Sequence, residues 1–170
     1  MQITFDGVVV RAPLHVSEGT IFRFVKQHEA WAKRHIEKLE ERRRAAGILP
    51  PITADDIELL AKKARIFIPE RVKFYADRLG VNYGRITIRN QRTRWGSCSS
   101  KGNLNFNCLL MLTPSEVIDS VVVHELCHIK YMDHSDKFYR EVLGVYPEYR
   151  KWDRWLKENG KIILMRVTDK

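Results

Sequence analysis

The sequence predicts an α+β fold in which a small antiparallel sheet packs on a central helix and on further helices. Long stretches with apolar residues at helical spacing lie on both sides of two short stretches that alternate between polar and apolar residues. The helix that follows these two strands carries the pattern His124-Glu125-x-x-His128 within a strongly apolar segment. A buried helix with these polar residues is therefore expected at the centre of the fold.

The length and composition of the chain are typical of one domain of ordinary size. Its 170 residues are enough for a hydrophobic core, and a Pro-Pro pair divides an appendage, residues 1–49, from the main domain, residues 50–170. No apolar run is long enough to span a bilayer, and the first residues lack the features of a secretory signal. The three cysteines have no metal-binding spacing and do not indicate a disulfide framework. We expect a cytoplasmic protein without a membrane partner.

The amino-terminal segment carries signals for a hairpin followed by a helix. Two β-prone stretches, Ile3–Phe5 and Val8–Val10, flank an Asp-Gly pair that is typical of tight hairpin turns. Ser17 is expected to cap a single helix with apolar residues at helical spacing, and Gly47 is expected to end it.

A second helix is expected to begin after Thr53, which can form a capping box with Asp56, and to end at Gly80. Pro69 lies inside this helical pattern and is expected to kink or split the helix. The apolar face of the helix needs a surface to cover, and the alternation at Ile86–Arg89 predicts the first strand of that surface.

The second strand is expected at Asn103–Asn107, after a polar connection that runs from Arg92 to Gly102. This connection is either a long hairpin loop or a loop folded toward the active site, with positive charge from Arg94 and packing by Trp95. The second strand is also a candidate edge for pairing with an extended peptide. The candidate substrate-binding residues are Arg94, Trp95, Asn105 and Asn107.

The helix with the histidine pattern has a marked start, since Thr113 can cap it, Pro114 suits its first position and Glu116 completes a capping box. His124 and His128 lie one turn apart on this helix and can converge on one metal ion. The glutamate between them can reach a water molecule without being a metal ligand. Because such groups are costly to bury unpaired, a bound cation is the favoured explanation.

Catalytic zinc usually has three protein ligands and one open position. His134 follows the first histidine by ten residues, and a chain reversal after the helix could bring its imidazole to the metal. Glu141 and Glu148 are the alternative third ligands, because some enzymes with this helix take a glutamate from the next one. His134 is the favoured candidate.

Several separated motifs occur in the order known from one protein family. They are Arg94-Trp95-Gly96-Ser97-Cys98-Ser99, Leu104-Asn105-Phe106-Asn107, Val123-His124-Glu125-Leu126-Cys127-His128, and His134-Ser135 with Phe138. Through these motifs residues 53–156 resemble the YgjP-like metallopeptidases, which are similar to the SprT-like and other zincin domains. The resemblance implies a zincin-like α+β fold, with His124, His128 and His134 as zinc ligands and Glu125 as the catalytic acid and base.

The residues and the resemblance together predict a zinc-dependent hydrolase that cleaves peptide or protein substrates, with Glu125 as general base. Two alternatives stay open. The net charge of +9, with Arg92, Arg94 and Lys101 near the site, is compatible with hydrolysis of a nucleotide phosphoanhydride. A nucleic-acid-binding protein with a structural zinc would need a fourth ligand, and the sequence offers only Cys127 on another helix face. Nucleic acid is therefore not an expected partner.

Overall fold

The described part of the chain is mostly helical and contains two small sheets. The computed structural model describes residues 2–4, 7–10, 12–13, 16–47 and 51–167. Within these ranges the strands are β1 (Gln2–Thr4), β2 (Gly7–Val9), β3 (Ile86–Arg89), β4 (Gly96–Cys98) and β5 (Leu104–Asn107). The helices are α1 (Glu18–Gln27), α2 (Glu29–Gly47), α3 (Ala54–Leu79), α4 (Ser115–Cys127), α5 (Asp136–Val145) and α6 (Tyr149–Met165). The chain divides into two units, Met1–Pro51 and Ile52–Lys170.

In the first unit, β1 and β2 form the antiparallel hairpin expected from the sequence, and the turn between them lies outside the described residues. Ser17 caps α1 as expected, because its hydroxyl accepts a hydrogen bond from a backbone N–H three residues later. The single helix predicted here is interrupted at His28, so α1 and α2 are separate. The Nδ1 atom of His28 lies 2.8 Å from the carbonyl oxygen of Phe24 and competes with the backbone for that acceptor.

Helix α3 begins with the predicted capping box. The Asp56 N–H donates to Thr53 Oγ1 at 3.3 Å, and the Thr53 N–H donates to Asp56 Oδ2 at 2.9 Å. Gly80 ends the helix with a φ of 62°, a left-handed conformation that glycine adopts without steric cost. Pro69 does not split the helix, because packing of the buried face outweighs the loss of one backbone hydrogen bond.

The second unit contains a mixed sheet of order β3-β5-β4 rather than the wholly antiparallel sheet that the sequence predicted. Strand β3 runs parallel to β5, whereas β4 runs antiparallel to β5. The polar connection predicted as a loop contains β4, and the chain crosses over so that β3 and β4 pair with opposite sides of β5. The prediction that β5 offers a free edge is therefore wrong, and the edges of this sheet within the described residues are β3 and β4.

The predicted capping box at the start of α4 is also absent. The helix begins at Ser115, with Pro114 in the cap position and no side-chain capping bond. The Thr113 hydroxyl instead donates to the carbonyl oxygen of Leu110 at 2.8 Å and closes the 3₁₀ helix that precedes α4. The Glu116 carboxylate accepts from the hydroxyl of Ser115 at 3.1 Å. Thr113 thus ends the preceding 3₁₀ helix, Cys108–Leu112, instead of starting α4.

Helix α4 lies at the centre of the second unit, where it packs against α3, α5 and α6 and touches β4. Arg71 of α3 binds the buried Asp119 of α4 with two hydrogen bonds, Nε to Oδ1 at 2.6 Å and Nη2 to Oδ2 at 2.7 Å. The Tyr75 hydroxyl donates to the same carboxylate at 3.1 Å. Such a fully bonded carboxylate fixes the position of α4 relative to α3.

Among the described residues, the structure contains no helix with the length and apolar character of a membrane span.

Candidate metal centre

Three histidine side chains from α4 and the segment after it converge on one point. The Nε2 atom of His124 lies 3.1 Å from Nε2 of His128 and 3.2 Å from Nε2 of His134. Two nitrogens bound tetrahedrally to one zinc ion are about 3.3 Å apart, given zinc–nitrogen distances of about 2.0 to 2.1 Å. All three ligand atoms lie within 4.8 Å of one another, so they could hold one metal ion.

The chain reversal that brings His134 to this point follows directly from the end of α4. The N–H groups of Lys130 and Tyr131 both bond to the carbonyl oxygen of Cys127, which turns the backbone out of the helix. The Ser135 N–H then donates to the side chain of Asp133 at 3.3 Å, in a turn typical of aspartate. Helix α5 begins immediately afterwards.

The base of the histidine cluster is an aromatic ring from α5. Phe138 is fully buried, and its ring centroid lies 5.0, 4.6 and 5.0 Å from those of His124, His128 and His134. Because one ring contacts all three imidazoles, it limits the orientations that each can adopt. The sequence placed this residue in a family motif but did not indicate this contact.

The two alternative third ligands are engaged elsewhere. The Glu141 carboxylate pairs with Lys130 at 2.6 Å, and the Glu148 carboxylate pairs with Lys151 at 3.3 Å. Neither glutamate belongs to the cluster of possible ligand atoms.

The hydrogen bonds of the other ring nitrogens, the Nδ1 atoms, determine whether the Nε2 atoms can bind a metal. The Nδ1 atom of His128 lies 3.0 Å from the carbonyl oxygen of Tyr131, which can only accept a hydrogen bond, so Nδ1 carries the proton and Nε2 offers a lone pair. The Nδ1 atom of His124 lies 2.8 Å from the hydroxyl of Tyr149, a buried residue of α6. Burial, with smaller effects from the neighbouring imidazoles, lowers the pKa of His124 to about 3, and burial also lowers the pKa of His128. Both are therefore neutral at neutral pH, as a metal ligand must be.

Glu125 lies beside the cluster and is only 6% exposed. Burial raises the pKa of its carboxyl to about 8, against a lowering effect of the Arg94 charge. Strand β4 approaches this side chain closely at Gly96, where a Cβ atom would lie 2.6 Å from Oε1 and 2.7 Å from Cγ of the glutamate. Position 96 therefore has to be glycine for the carboxylate to keep its place.

A cavity of about 220 Å³ opens beside His124 and Glu125. Arg94 and Trp95 of the polar connection line this cavity, as the second of its two interpretations expects, and their roles toward a substrate stay predictions. The indole of Trp95 packs on α6 at Gly160, where a Cβ atom would come within 2.9 Å of the ring. The lining residues outside α4 are Thr93, Arg94, Trp95, Gly96, Tyr149, Asp153 and Leu156.

The other two candidate substrate-binding residues do not line this cavity. Asn107 is fully buried, and its Nδ2 atom donates to the carbonyl oxygens of Gln91 and Arg94 at 2.6 and 3.0 Å. The Nδ2 atom of Asn105 donates to the hydroxyl of Ser97 at 3.2 Å. Asn107 thus holds the loop that carries Arg94, a role that its position on a strand did not reveal.

Two solved structures are similar to part of this chain. The chain is similar to the metallopeptidase zymogen abylysin of Pyrococcus abyssi, with a TM-score of 0.50 and 24% identity over 56% of this chain and 97% of that chain. It is also similar to the metallopeptidase zymogen jannalysin of Methanocaldococcus jannaschii, with a TM-score of 0.48 and 22% identity over 54% of this chain and 95% of that chain. The first similarity supports the α+β fold. No curated protein matches the sequence significantly.

The model of one protein family matches the second unit. This model describes the YgjP-like metallopeptidase domain, and it matches residues 52–159, more than half of the chain. The matched range includes the three histidines, Glu125 and the walls of the adjacent cavity. The chain therefore belongs to the YgjP-like family of metallopeptidase domains, which implies a hydrolytic enzyme that uses a metal ion.

Proposed function

We propose that the protein is a zinc-dependent peptidase in which His124, His128 and His134 bind the zinc and Glu125 moves the protons. The observation that carries this proposal is the convergence of three Nε2 atoms beside a buried carboxylate. Neutral imidazole nitrogens suit zinc, whereas magnesium and calcium prefer oxygen ligands. A site with three protein ligands also leaves a fourth position open, as catalytic zinc requires.

The proposed chemistry assigns the proton transfers to Glu125. A bound zinc ion would lower the pKa of a water molecule and polarise the scissile carbonyl group. Burial raises the pKa of Glu125, and the positive charge of a bound zinc ion would favour its ionised form. The ionised Glu125 takes a proton from the attacking water and passes it to the leaving amine, so that one carboxylate serves both steps. Gly96 leaves space for the Glu125 carboxylate, because a Cβ atom at that position would lie 2.6 Å from its Oε1. Arg94, on the cavity wall, supplies positive charge for the substrate carbonyl, and Trp95 supplies an apolar surface.

The substrate backbone pairs in this proposal with the outer edge of β4. The carbonyl oxygen of Trp95 accepts a hydrogen bond from the N–H of Asn107 in β5 at 2.8 Å. The N–H of Ser99 donates to the carbonyl oxygen of Asn103, just before β5, at 2.9 Å. Successive residues of a strand direct their backbone N–H and C=O groups to opposite edges. Gly96 and Cys98 therefore direct theirs to the edge of β4 that faces away from β5. An extended peptide on that edge would gain backbone hydrogen bonds beside Glu125. A direct contact of Asn105 or Asn107 with substrate stays a prediction.

The proposal is tested by separating metal binding from proton transfer. We expect Glu125→Gln to retain zinc but to lose peptide cleavage by about 100-fold to 10,000-fold, the usual contribution of a general base. We expect His124→Ala to lose both zinc and cleavage. Zinc content is measured by elemental analysis and cleavage by mass spectrometry of a peptide library.

A matched control is Glu158→Gln, which removes the same charge at an exposed position of α6 outside the cavity. It should leave both readouts unchanged. Undiminished cleavage by Glu125→Gln would refute the role of this carboxylate, and full cleavage by chelator-treated protein would refute the dependence on zinc.

A further inference from the structure

A second cleft, of about 340 Å³, lies along α6 next to the cavity at the metal centre. This α6 cleft is lined by Tyr139, Tyr149, Arg150, Asp153, Arg154 and Lys157. Tyr149 and Asp153 line both the cleft and the cavity beside Glu125. The Tyr149 hydroxyl also bonds to His124, and the ring of Tyr139 lies 6.2 Å from that of His134. The α6 cleft therefore begins at side chains that contact two of the three candidate metal ligands.

The charge of the α6 cleft is positive. Arg154 and Lys157 follow Arg150 by four and seven residues, so the three side chains share one face of the helix. Asp153 is the single acidic residue among those that line the cleft, and it pairs with Lys157 at 2.6 Å. Neither arginine forms an ion pair with a carboxylate in the described part of the chain. Two exposed guanidinium groups thus line a cleft beside the site, and neither is paired with a carboxylate among the described residues.

The dimensions of the α6 cleft match a short piece of extended peptide. The nine helical residues from Tyr149 to Lys157 span about 12 Å, since the eight steps between them each rise about 1.5 Å. An extended chain covers about 3.3 Å per residue, so the same distance holds roughly four substrate residues. Guanidinium groups fit carboxylates well because their N–H groups match the two oxygens of a carboxylate in geometry.

We propose that the α6 cleft selects substrates with an acidic side chain within about four residues of the scissile bond, with the carboxylate bound by Arg150 and Arg154. This inference rests on the proposed peptidase function. The contact is the same before and during the reaction, so it lowers KM more than it raises kcat. Because the two arginines are exposed, each contact contributes a small factor, and we expect an overall preference for acidic substrates of roughly fivefold to tenfold. Added salt should weaken this preference.

The test uses the full-length, zinc-loaded protein and two peptide libraries that differ only in having Asp and Glu or Asn and Gln at the positions around the scissile bond. Three proteins are compared: the natural sequence, the double variant Arg150→Gln with Arg154→Gln, and the matched control Arg85→Gln with Arg89→Gln. The control removes the same charge from exposed residues that line a different surface cleft. The measured quantity is the ratio of kcat/KM for acidic and amide substrates.

We expect this ratio to be roughly fivefold to tenfold for the natural sequence and the control, and close to one for the α6 double variant. Cleavage of both libraries with no acidic preference, or with the same preference in all three proteins, would overturn the inference and leave the proposed peptidase function intact. No cleavage of either library would overturn both. Hydrolysis of a nucleoside triphosphate that is lost only in the α6 variant would reassign the cleft to phosphate and also overturn the inference.

Discussion

The two sides of the candidate metal centre are built differently. On the α4 side, His124 and His128 are largely buried, and each has its Nδ1 atom fixed by a hydrogen bond to Tyr149 or Tyr131. On the other side, His134 is exposed, and among the described residues no partner is found for its Nδ1 atom. Its ring is held by packing on a neighbouring aromatic side chain of α5.

This difference separates positions that serve folding from positions that serve binding. The α4 side is positioned by the same hydrogen bonds and packing that hold the second unit together, so it keeps its geometry without a metal. The exposed side depends on local packing and on the metal itself. In the proposed zinc site, the exposed His134 leaves room for a substrate to approach, whereas the two histidines of α4 fix where the metal would lie.

The largest effect is expected when one histidine is removed from each side of the centre in turn. We expect His128→Ala and His134→Ala both to weaken zinc binding by more than the roughly 10-fold to 100-fold that loss of an outer partner costs. Only His128→Ala should also destabilise the metal-free protein, by about 1 to 3 kcal/mol, because it leaves the Tyr131 carbonyl without its donor and removes packing against Phe138. The free energy of unfolding of His134→Ala should change by less than about 0.5 kcal/mol, because His134 is exposed.

Zinc affinity is measured by competition with a chelating dye, and stability by urea unfolding in the presence of excess chelator. The metal-free natural protein is the reference for both variants. Equal losses of stability would mean that the two sides are not different in the way that their burial indicates.

A smaller effect is expected where β4 meets the buried side. In Gly96→Ala, the new Cβ atom would lie 2.6 Å from Oε1 of Glu125, so the carboxylate has to move. We expect zinc to be retained and peptide cleavage to fall by about 10-fold to 100-fold, since a displacement of about 1 Å at a catalytic group has costs of this size. Cleavage rate and zinc content are measured on the same preparation.

The matched control is Gly144→Ala, at a helix position where a Cβ atom meets nothing within 4 Å. It should leave cleavage unchanged and stabilise α5 slightly, because alanine favours helix more than glycine does. If both alanine variants cleave peptide at the natural rate, the close approach at β4 does not position Glu125.

The features that the sequence predicted correctly depend on residues near one another in the chain. The cap at Ser17, the capping box at Thr53 and the one-turn spacing of His124 and His128 each involve residues within about one turn of helix. Thr113 shows the limit of such signals, since two adjacent elements competed for one hydroxyl and the 3₁₀ helix gained it.

The features that the sequence did not predict depend on residues far apart in the chain. The parallel pairing of β3 with β5 depends on where β4, which lies between them in the sequence, packs in the sheet. Gly96 is essential only because a helix almost 30 residues later brings Glu125 against it. Tyr149 belongs to the same class. It starts α6, 25 residues after His124, and no spacing rule connects the two.

The smallest effect that sharpens the comparison is expected from Tyr149→Phe. This change removes the hydroxyl 2.8 Å from Nδ1 of His124 and keeps the buried ring, so we expect about 10-fold weaker zinc binding in a protein that keeps its fold. Tyr146→Phe is the control, because its hydroxyl donates to the Glu116 carbonyl at 3.1 Å and not to a ligand. Zinc competition should separate the two variants, whereas urea unfolding without metal should give similar losses of about 1 kcal/mol for each. If both bind zinc as tightly as the natural protein, the hydrogen bond between Nδ1 of His124 and the Tyr149 hydroxyl does not orient His124, and the buried side is held by packing alone.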